Sequence, residues 1–431
     1  MTQESPTIDD LRATFSPLFE RIAAGAGARE AERRLPYEEV GALKEAGFGS
    51  LRLARADGGR GASLEQFFQL LVELGAADSN FPQIWRNHIA FVEDHRGGEA
   101  GKRWRQEIAN RKLFGGAWTE RGGETAGETK TEVTPVEGGY RLNGTKYYST
   151  GSIYSDWVHV TAKLGTEEDR KVAVVGANAP GVRLLDDWTG VGQRLSGSGT
   201  AEFSDVWVPD THLFAFKDRA PYQQVVYQLV HLATLAGIAR AAHNDVVAAL
   251  RSRKGGSSRL GPPRVPREEP LYQEVIGRVG ALASSAEASV LWAARRVEPA
   301  ANARFESASV DEVTALARLA AVAVYEAQLT VTEAALNAST ILFDALGGSA
   351  LDQSTLLDRH WRNARTISSH NPRVYKARML GDWHLNGADP LGRKGEAEPS
   401  MSPPAPAEPE PPLAAEPIDS AAERLRDAVI N

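Results

Sequence analysis

"TEVTPVEGGYRLNGTKYYST", Thr131 to Thr150, decides how the chain is read. Apolar and polar residues alternate with period two, the mark of strands that bury one face. Gly138-Gly139 and Asn143-Gly144 suit the positive φ angles of tight turns, so the stretch reads as short strands joined by two hairpins. The texture continues through "WVHVTAKL" (Trp157 to Leu164), "KVAVVG" (Lys171 to Gly176) and "TAEFSDVWVP" (Thr200 to Pro209). A small β-barrel or a pair of sheets is expected here.

Both flanks read as helices. Leu11, Phe15, Leu18 and Ile22 recur at helical spacing after Asp9 and Asp10, the candidate caps. Ser63 and Gln66 form a candidate capping box ahead of Phe67, Phe68, Leu71 and Leu74. From Pro221 the helical period returns and holds to Leu385. Leu271, Val275, Val279 and Leu282 mark one helix; Leu316, Leu319, Ala323 and Glu326 mark another. Their Ala-rich faces suit close packing in a bundle, and "KGGSSRLGPPRVPREEP" (Lys254 to Pro270) is a long loop between two of these helices. The expected class is α+β: an N-terminal α-helical domain (1–113), a central β-barrel domain (114–215) and a C-terminal four-helix bundle (216–395). Residues 396–431 form a Pro/Glu/Ala-rich tail without the apolar content to fold alone, ending in a candidate short helix from Asp419 or Ser420.

Composition narrows the function. The 431 residues are enough for two or three domains with a sizeable core. A net charge of −7 argues against nucleic acid or an anionic membrane as partner. The chain has no Cys, which excludes disulfides, thiolate metal sites and a Cys nucleophile. "MTQESPTIDDLRATF" has neither a basic nor an apolar leader segment, and no uninterrupted apolar run reaches the ~18 residues of a membrane span. A cytoplasmic location is expected.

Helices, a β-domain and a helix bundle follow each other in the order of acyl-CoA dehydrogenases, and short stretches carry the resemblance further. "GGAWTERGG" (Gly115 to Gly123) resembles that family's flavin loop, T-E-P-x-x-G-S. "LNGTKYYSTGSIYSDWVHV" (Leu142 to Val160) resembles its N-G-x-K-x-W-I-T-N strand. "GQRLSGSGTAEFSDVWVP" (Gly192 to Pro209) is similar to R-x-S-x-T…F-x-D-V-x-V-P. "LRSRKGG" (Leu250 to Gly256) and "LFDALGGSALDQSTLLDRHWRNAR" (Leu342 to Arg365) are similar to R-x-x-F-G and F-G-G…R-D. All five stand in the family's order.

One departure redirects the expectation. Acyl-CoA dehydrogenases abstract a proton with a glutamate placed after R-D, or in some members on the first bundle helix. Here the first place is "TISSHNP" (Thr366 to Pro372), without an acid, and Tyr222 to Asn244 contains none either. A general base must be present to act. "RNARTISSHNPRVYKAR" (Arg362 to Arg378) instead resembles the superfamily's flavin-dependent monooxygenases, the branch similar to dibenzothiophene monooxygenase.

That resemblance implies a two-component enzyme. Reduced flavin arrives from a separate reductase, reacts with O2 as C4a-hydroperoxyflavin, and oxygenates a small organic substrate at sulfur. FMN is the expected cofactor, with FAD the alternative, and the assembly is a homotetramer. An acyl-CoA dehydrogenase and a non-catalytic flavin-fold scaffold are the competing readings.

A carboxylate beside an oxygen anion would repel it, whereas an imidazole hydrogen-bonds to it and moves a proton near pH 7. His370, with Asn371, takes that role. By resemblance, Trp118 and Thr119 lie along the flavin edge, Tyr148 and Thr150 line it, and Ser149 brings a hydroxyl near flavin N5. Tyr147 and Tyr148 should face opposite sides of their strand, so that only Tyr148 meets the flavin. His88 faces the substrate side. Arg253, Gly347 and Gly348 support the distal part of the cofactor. Arg362 and Arg365 either neutralise a phosphate, order the loop or pair with surface acids. His88 and His95 are not spaced as a metal site, and no metal is expected.

Overall fold

The computed structural model describes residues 5–121, 129–254, 265–306 and 308–392. The tail and most of the Lys254 to Pro270 loop, with the candidate helix at Asp419 or Ser420, lie outside them.

Five helices open the chain: α1 (Ile8–Glu32), α2 (Tyr37–Glu45), α3 (Leu64–Ala77), α4 (Asn80–His95) and α5 (Lys102–Ala109). The Thr7 hydroxyl caps α1, accepting from the Asp10 backbone N–H at 3.1 Å while the Asp10 carboxylate accepts from the Thr7 N–H at 3.0 Å. Asp10 is therefore the second half of a capping box rather than the cap, because Thr7 has the extended backbone a cap needs. The box at Ser63 and Gln66 opens α3 as expected. Every residue of α4 is buried, polar ones included, and this makes α4 a wall of the interior rather than a surface helix.

Eight strands follow: β1 (Phe114–Ala117), β2 (Glu132–Val136), β3 (Gly139–Lys146), β4 (Trp157–Leu164), β5 (Thr166–Gly176), β6 (Val182–Leu184), β7 (Ala201–Pro209) and β8 (Leu213–Ala215). They form one mixed sheet in the order β6-β7-β3-β2-β4-β5-β8, with β1 parallel to β4; among the described residues its hydrogen-bonded path has two ends. Alternate residues such as Leu142, Val158, Val160, Val206 and Val208 fill its core. The turn at Gly138 (φ 78°) is the expected hairpin. Asn143-Gly144 is not a turn. The chain runs straight on beside β7, where Ser204 and Asp205 stand opposite Asn143 as a β-bulge in β7, held by the Asp205 N–H donating to Asn143 Oδ1 at 2.8 Å.

The bundle comprises α6 (Gln223–Ser252), α7 (Pro270–Ala303), α8 (Val310–Ile341), α9 (Asp358–His370) and α10 (Arg373–Asn386). The last two share the fourth position, separated at Asn371-Pro372, where a proline ring and a missing N–H prevent one continuous helix. On length and composition α6 and Val310–Ala345 could cross a membrane, but 89% and 61% of their most apolar windows are buried in the protein. Helix α6 is the core helix, packed against α3, α4, α7, α8 and α9. Its first half meets α4, which in turn packs on β1. The helix break, α6, α4 and the end of β1 thus converge.

Candidate active site

At this convergence polar side chains from each element meet. Tyr227 and His231 lie one turn apart on α6, hence on one face. The Arg86 guanidinium of α4 lies over the Tyr227 ring at 5.0 Å, and that ring is 6.0 Å from Trp118, just beyond β1. The rings of His231 and His370 are 4.4 Å apart. Asn371 Nδ2 donates to Gln228 Oε1 at 2.6 Å and Gln328 Nε2 donates to the Asn371 carbonyl at 2.8 Å, so α6 and α8 both hold the break that presents His370.

Several polar atoms of these groups have no hydrogen-bond partner among the described residues. Trp118 Nε1, Arg86 Nε, Tyr227 OH, both His231 nitrogens and Gln328 Oε1 are buried without a hydrogen bond. Buried polar atoms are nearly always paired, and a concentration of unpaired ones marks a place built for something that binds. Burial pushes the His370 imidazole down to about 3, helped by the Arg86 charge, and pushes His231 well below its ordinary value, helped by His370 and Arg86. No carboxylate is among the groups acting on either ring. Both are neutral at pH 7. Arg86, lowered by burial to about 10, remains charged.

Beside this cluster lies a shelf of backbone and aromatic rings. Thr119 bridges to Tyr147, whose N–H donates to the Thr119 carbonyl at 2.8 Å. Asn87 Nδ2 donates to the Thr150 carbonyl at 2.8 Å and ties α4 to the strand end. Gly116 sits so close to α4 and β4 that a Cβ there would meet Asn87 Oδ1 at 2.6 Å and His159 Nε2 at 2.9 Å.

Family models for the acyl-CoA dehydrogenase middle domain and C-terminal domain match residues 116–206 and 229–372. A dibenzothiophene monooxygenase from Rhodococcus erythropolis is 27% identical over 392 residues, covering 86% of this chain and 90% of that protein. A probable FMNH2-dependent monooxygenase from Pseudomonas putida is 27% identical, covering 86% and 93%. Among solved structures, a dibenzothiophene monooxygenase from Paenibacillus sp. A11-2 in complex with FMN and indole has a TM-score of 0.78 at 25% identity, covering 88% and 98%. A methanesulfinate monooxygenase from Pseudomonas fluorescens has a TM-score of 0.77 at 25% identity, covering 90% and 98%. The chain is a flavin-dependent monooxygenase of the acyl-CoA dehydrogenase superfamily.

In this monooxygenase the structure brings Trp118, His370 and Asn371 together and corrects several other expectations. His88 does not face the cluster: its Nδ1 accepts from the Phe114 N–H at 3.2 Å and its Nε2 contacts the Gly49 carbonyl at 3.0 Å, so both nitrogens are used. Two positions along a helix turn a side chain by about 200°, which is why Arg86 points where His88 cannot. His95 Nδ1 contacts the Phe91 carbonyl at 2.9 Å, and no metal-binding group of side chains occurs among the described residues. The Ser149 hydroxyl donates to the Gly199 carbonyl at 2.7 Å and Thr150 Oγ1 shares a hydrogen bond with Ser198 Oγ at 2.8 Å; both fasten the Gly/Ser loop. Tyr148 has φ 58°, and this left-handed residue breaks the strand's alternation. Instead of facing apart, the Tyr147 and Tyr148 rings both contact Arg121, at 4.7 and 4.6 Å.

At the far end of α6, Arg253 donates to the Leu346 carbonyl at 2.9 Å and to Ser349 Oγ at 2.6 Å, bracing the turn through Gly347 and Gly348. Arg253 lies 22 residues beyond His231, roughly 33 Å at the helical rise, so these three residues are remote from the cluster within one chain. Arg365 is exposed, whereas Arg362 pairs with Glu30 at 2.7 Å and Asp358 at 2.8 Å. Sequence reasoning missed Arg86, Tyr227, His231 and Gln328. The available signal was polar residues inside otherwise apolar helices, above all Tyr227 and His231 at i, i+4.

Proposed function

We propose that this enzyme is the oxygenase of a two-component system in the cytoplasm: it takes reduced FMN from a separate flavin reductase and oxygenates a small organic sulfur compound. The observation that carries this reading is the pair of neutral imidazoles, His231 and His370, in a buried cluster with no carboxylate acting on them. The named activities of the Rhodococcus, Paenibacillus and Pseudomonas fluorescens relatives support sulfur, and the FMN in the Paenibacillus structure supports the cofactor.

The residues fit a flavin. Trp118 offers an unpaired indole N–H, and at Gly116 the backbone packs against α4 with no room for a side chain, fixing the shelf. Trp118, Thr119, Tyr148 and Thr150 would hold its ring edge. Bound reduced FMN supplies the two electrons that activate O2, one oxygen atom passing to substrate and the other leaving as water. His370 keeps its proton on Nδ1, toward Asn371 Oδ1 at 3.4 Å, which leaves Nε2 to accept a proton and return it. His231 is the next imidazole along for that proton. The enclosing helices exclude bulk water, and that limits wasteful release of peroxide.

Domains at 1–113, 114–215 and 216–395 are part of the same reading. So is a homotetramer: a flavin lying by Trp118 can meet Arg253, Gly347 and Gly348 only if a neighbouring subunit supplies them. Light scattering at four times the chain mass, lost with Arg253→Glu, would support this; a monomer that turns over would refute it.

Reconstitution tests the function. Purified protein with NADH, FMN, a flavin reductase, O2 and a panel of sulfur compounds should yield a product carrying one atom from 18O2. Reduction of bound flavin by an acyl-CoA thioester without O2 would favour a dehydrogenase. Failure to bind FMN would favour a scaffold.

A further inference from the structure

Three arginines are buried among the described residues: Arg29, Arg52 and Arg86. Arg29 pairs with Glu39 and Asp78, and Arg52 pairs with Glu93 and Glu298. Arg86 is 9% exposed and, among the described residues, makes no ion pair and no hydrogen bond; its guanidinium lies over the face of Tyr227 at 5.0 Å. Removing a guanidinium from water without a counter-charge costs several kcal/mol, and a fold retains such a group where a ligand supplies the missing charge.

We propose that Arg86 anchors an anionic head group on the substrate: a sulfinate, sulfonate or carboxylate on a small organic chain. The planar guanidinium matches two oxygens of such a group in a bidentate pair. An anion held there has Tyr227 on one side, and the rest of the molecule extends toward His370 and Trp118. The absence of a protein carboxylate acting on the two histidines then has a second reason, since an internal acid would neutralise Arg86 and compete with the substrate. This inference names the substrate class of the site proposed above and rests on that reading for the reaction, but not for binding. FMN also carries an anion, its phosphate, so the test separates the two sources.

The full-length protein with oxidised FMN is titrated calorimetrically with methanesulfinate, butanesulfonate and benzoate, and with dimethyl sulfone and benzamide as neutral counterparts. At least one anion should bind ten-fold or more tightly than its neutral counterpart. Arg86→Gln should weaken that anion at least thirty-fold and Arg86→Lys less, with affinity for FMN and the neutral compounds kept within two-fold. In the wild type the same anion should raise the melting temperature, a check that needs no variant. The proposal is overturned if no anion binds, if anion and neutral compound lose affinity equally, or if Arg86→Gln weakens FMN instead. Charge-selective binding that depends on Arg86, with no oxygenated product in the reconstituted system, would leave the proposal standing and remove the oxygenase reading alone.

Discussion

His370 and His88 show how little a histidine's type says about its use. His88 is buried and spends its two nitrogens on backbone groups, while the half-buried His370 has one long hydrogen bond, to Asn371. His370→Ala should therefore keep FMN affinity and melting temperature near wild type while product formed per NADH falls at least ten-fold and hydrogen peroxide rises; unchanged coupling would remove it from the reaction. His88→Ala should do the reverse. It strands the Phe114 N–H and the Gly49 carbonyl at about 1–3 kcal/mol each, seen as a lower denaturant midpoint, with coupling intact in the folded fraction. At this scale the sequence offers candidates where a motif names the residue, as for Trp118 and His370. It was silent where function depends on what a side chain lacks. Nothing in "WRNH" tells that Arg86 has no counter-charge, because its missing partner is defined only after α4 and α6 pack.

At the level of elements, the proposed chemistry sits at the junction of α9 and α10. Asn371 links His370 to Gln228 of α6, and its carbonyl receives Gln328 of α8. Asn371→Ala removes both side-chain contacts and leaves the Gln228 amide oxygen stranded. The midpoint of denaturant unfolding should fall by the equivalent of about 1–3 kcal/mol, and coupling should drop less than in His370→Ala; a variant as stable and as coupled as wild type would show that the break needs no tether. Helices were readable from their period, and Pro372 marks the break by its chemistry. Asn143-Gly144 was misread because the same dipeptide serves a hairpin turn or a continuous strand opposite a bulge, here Ser204-Asp205 of β7. The choice rests with β7, whose pairing continues past it on both sides. The left-handed Tyr148 is equally non-local, since strand residues seldom adopt φ 58° unless their surroundings impose it.

Across the whole molecule, burial of neutral imidazoles couples stability to pH. Burial holds His88 and His95 at about 4, His159 and His370 at about 3, and His231 well below its ordinary value. Their folded values lie below the ordinary 6.5, so the unfolded chain binds more protons between those limits. The stability they contribute is complete above pH 6.5 and is lost as pH falls toward 4, by up to about 1.4 kcal/mol per ring at pH 5.5. Burial lowers His212 and His360 as well, so Asp94, raised by burial to about 6, opposes this with one group against seven. The melting temperature should fall steadily from pH 7 to pH 5; a flat profile would mean that these rings are protonated in the fold. The α–β–α order was legible across the chain, but the junction of α4, α6, α9 and β1 was not, because those elements are remote in sequence. What that junction does is decided most directly by a single turnover of the protein with chemically reduced FMN, 18O2 and a sulfur substrate. One labelled oxygen atom in the product, lost in His370→Ala, is the predicted result. Unlabelled product, or anaerobic reduction of the bound flavin by an acyl-CoA thioester, would contradict it.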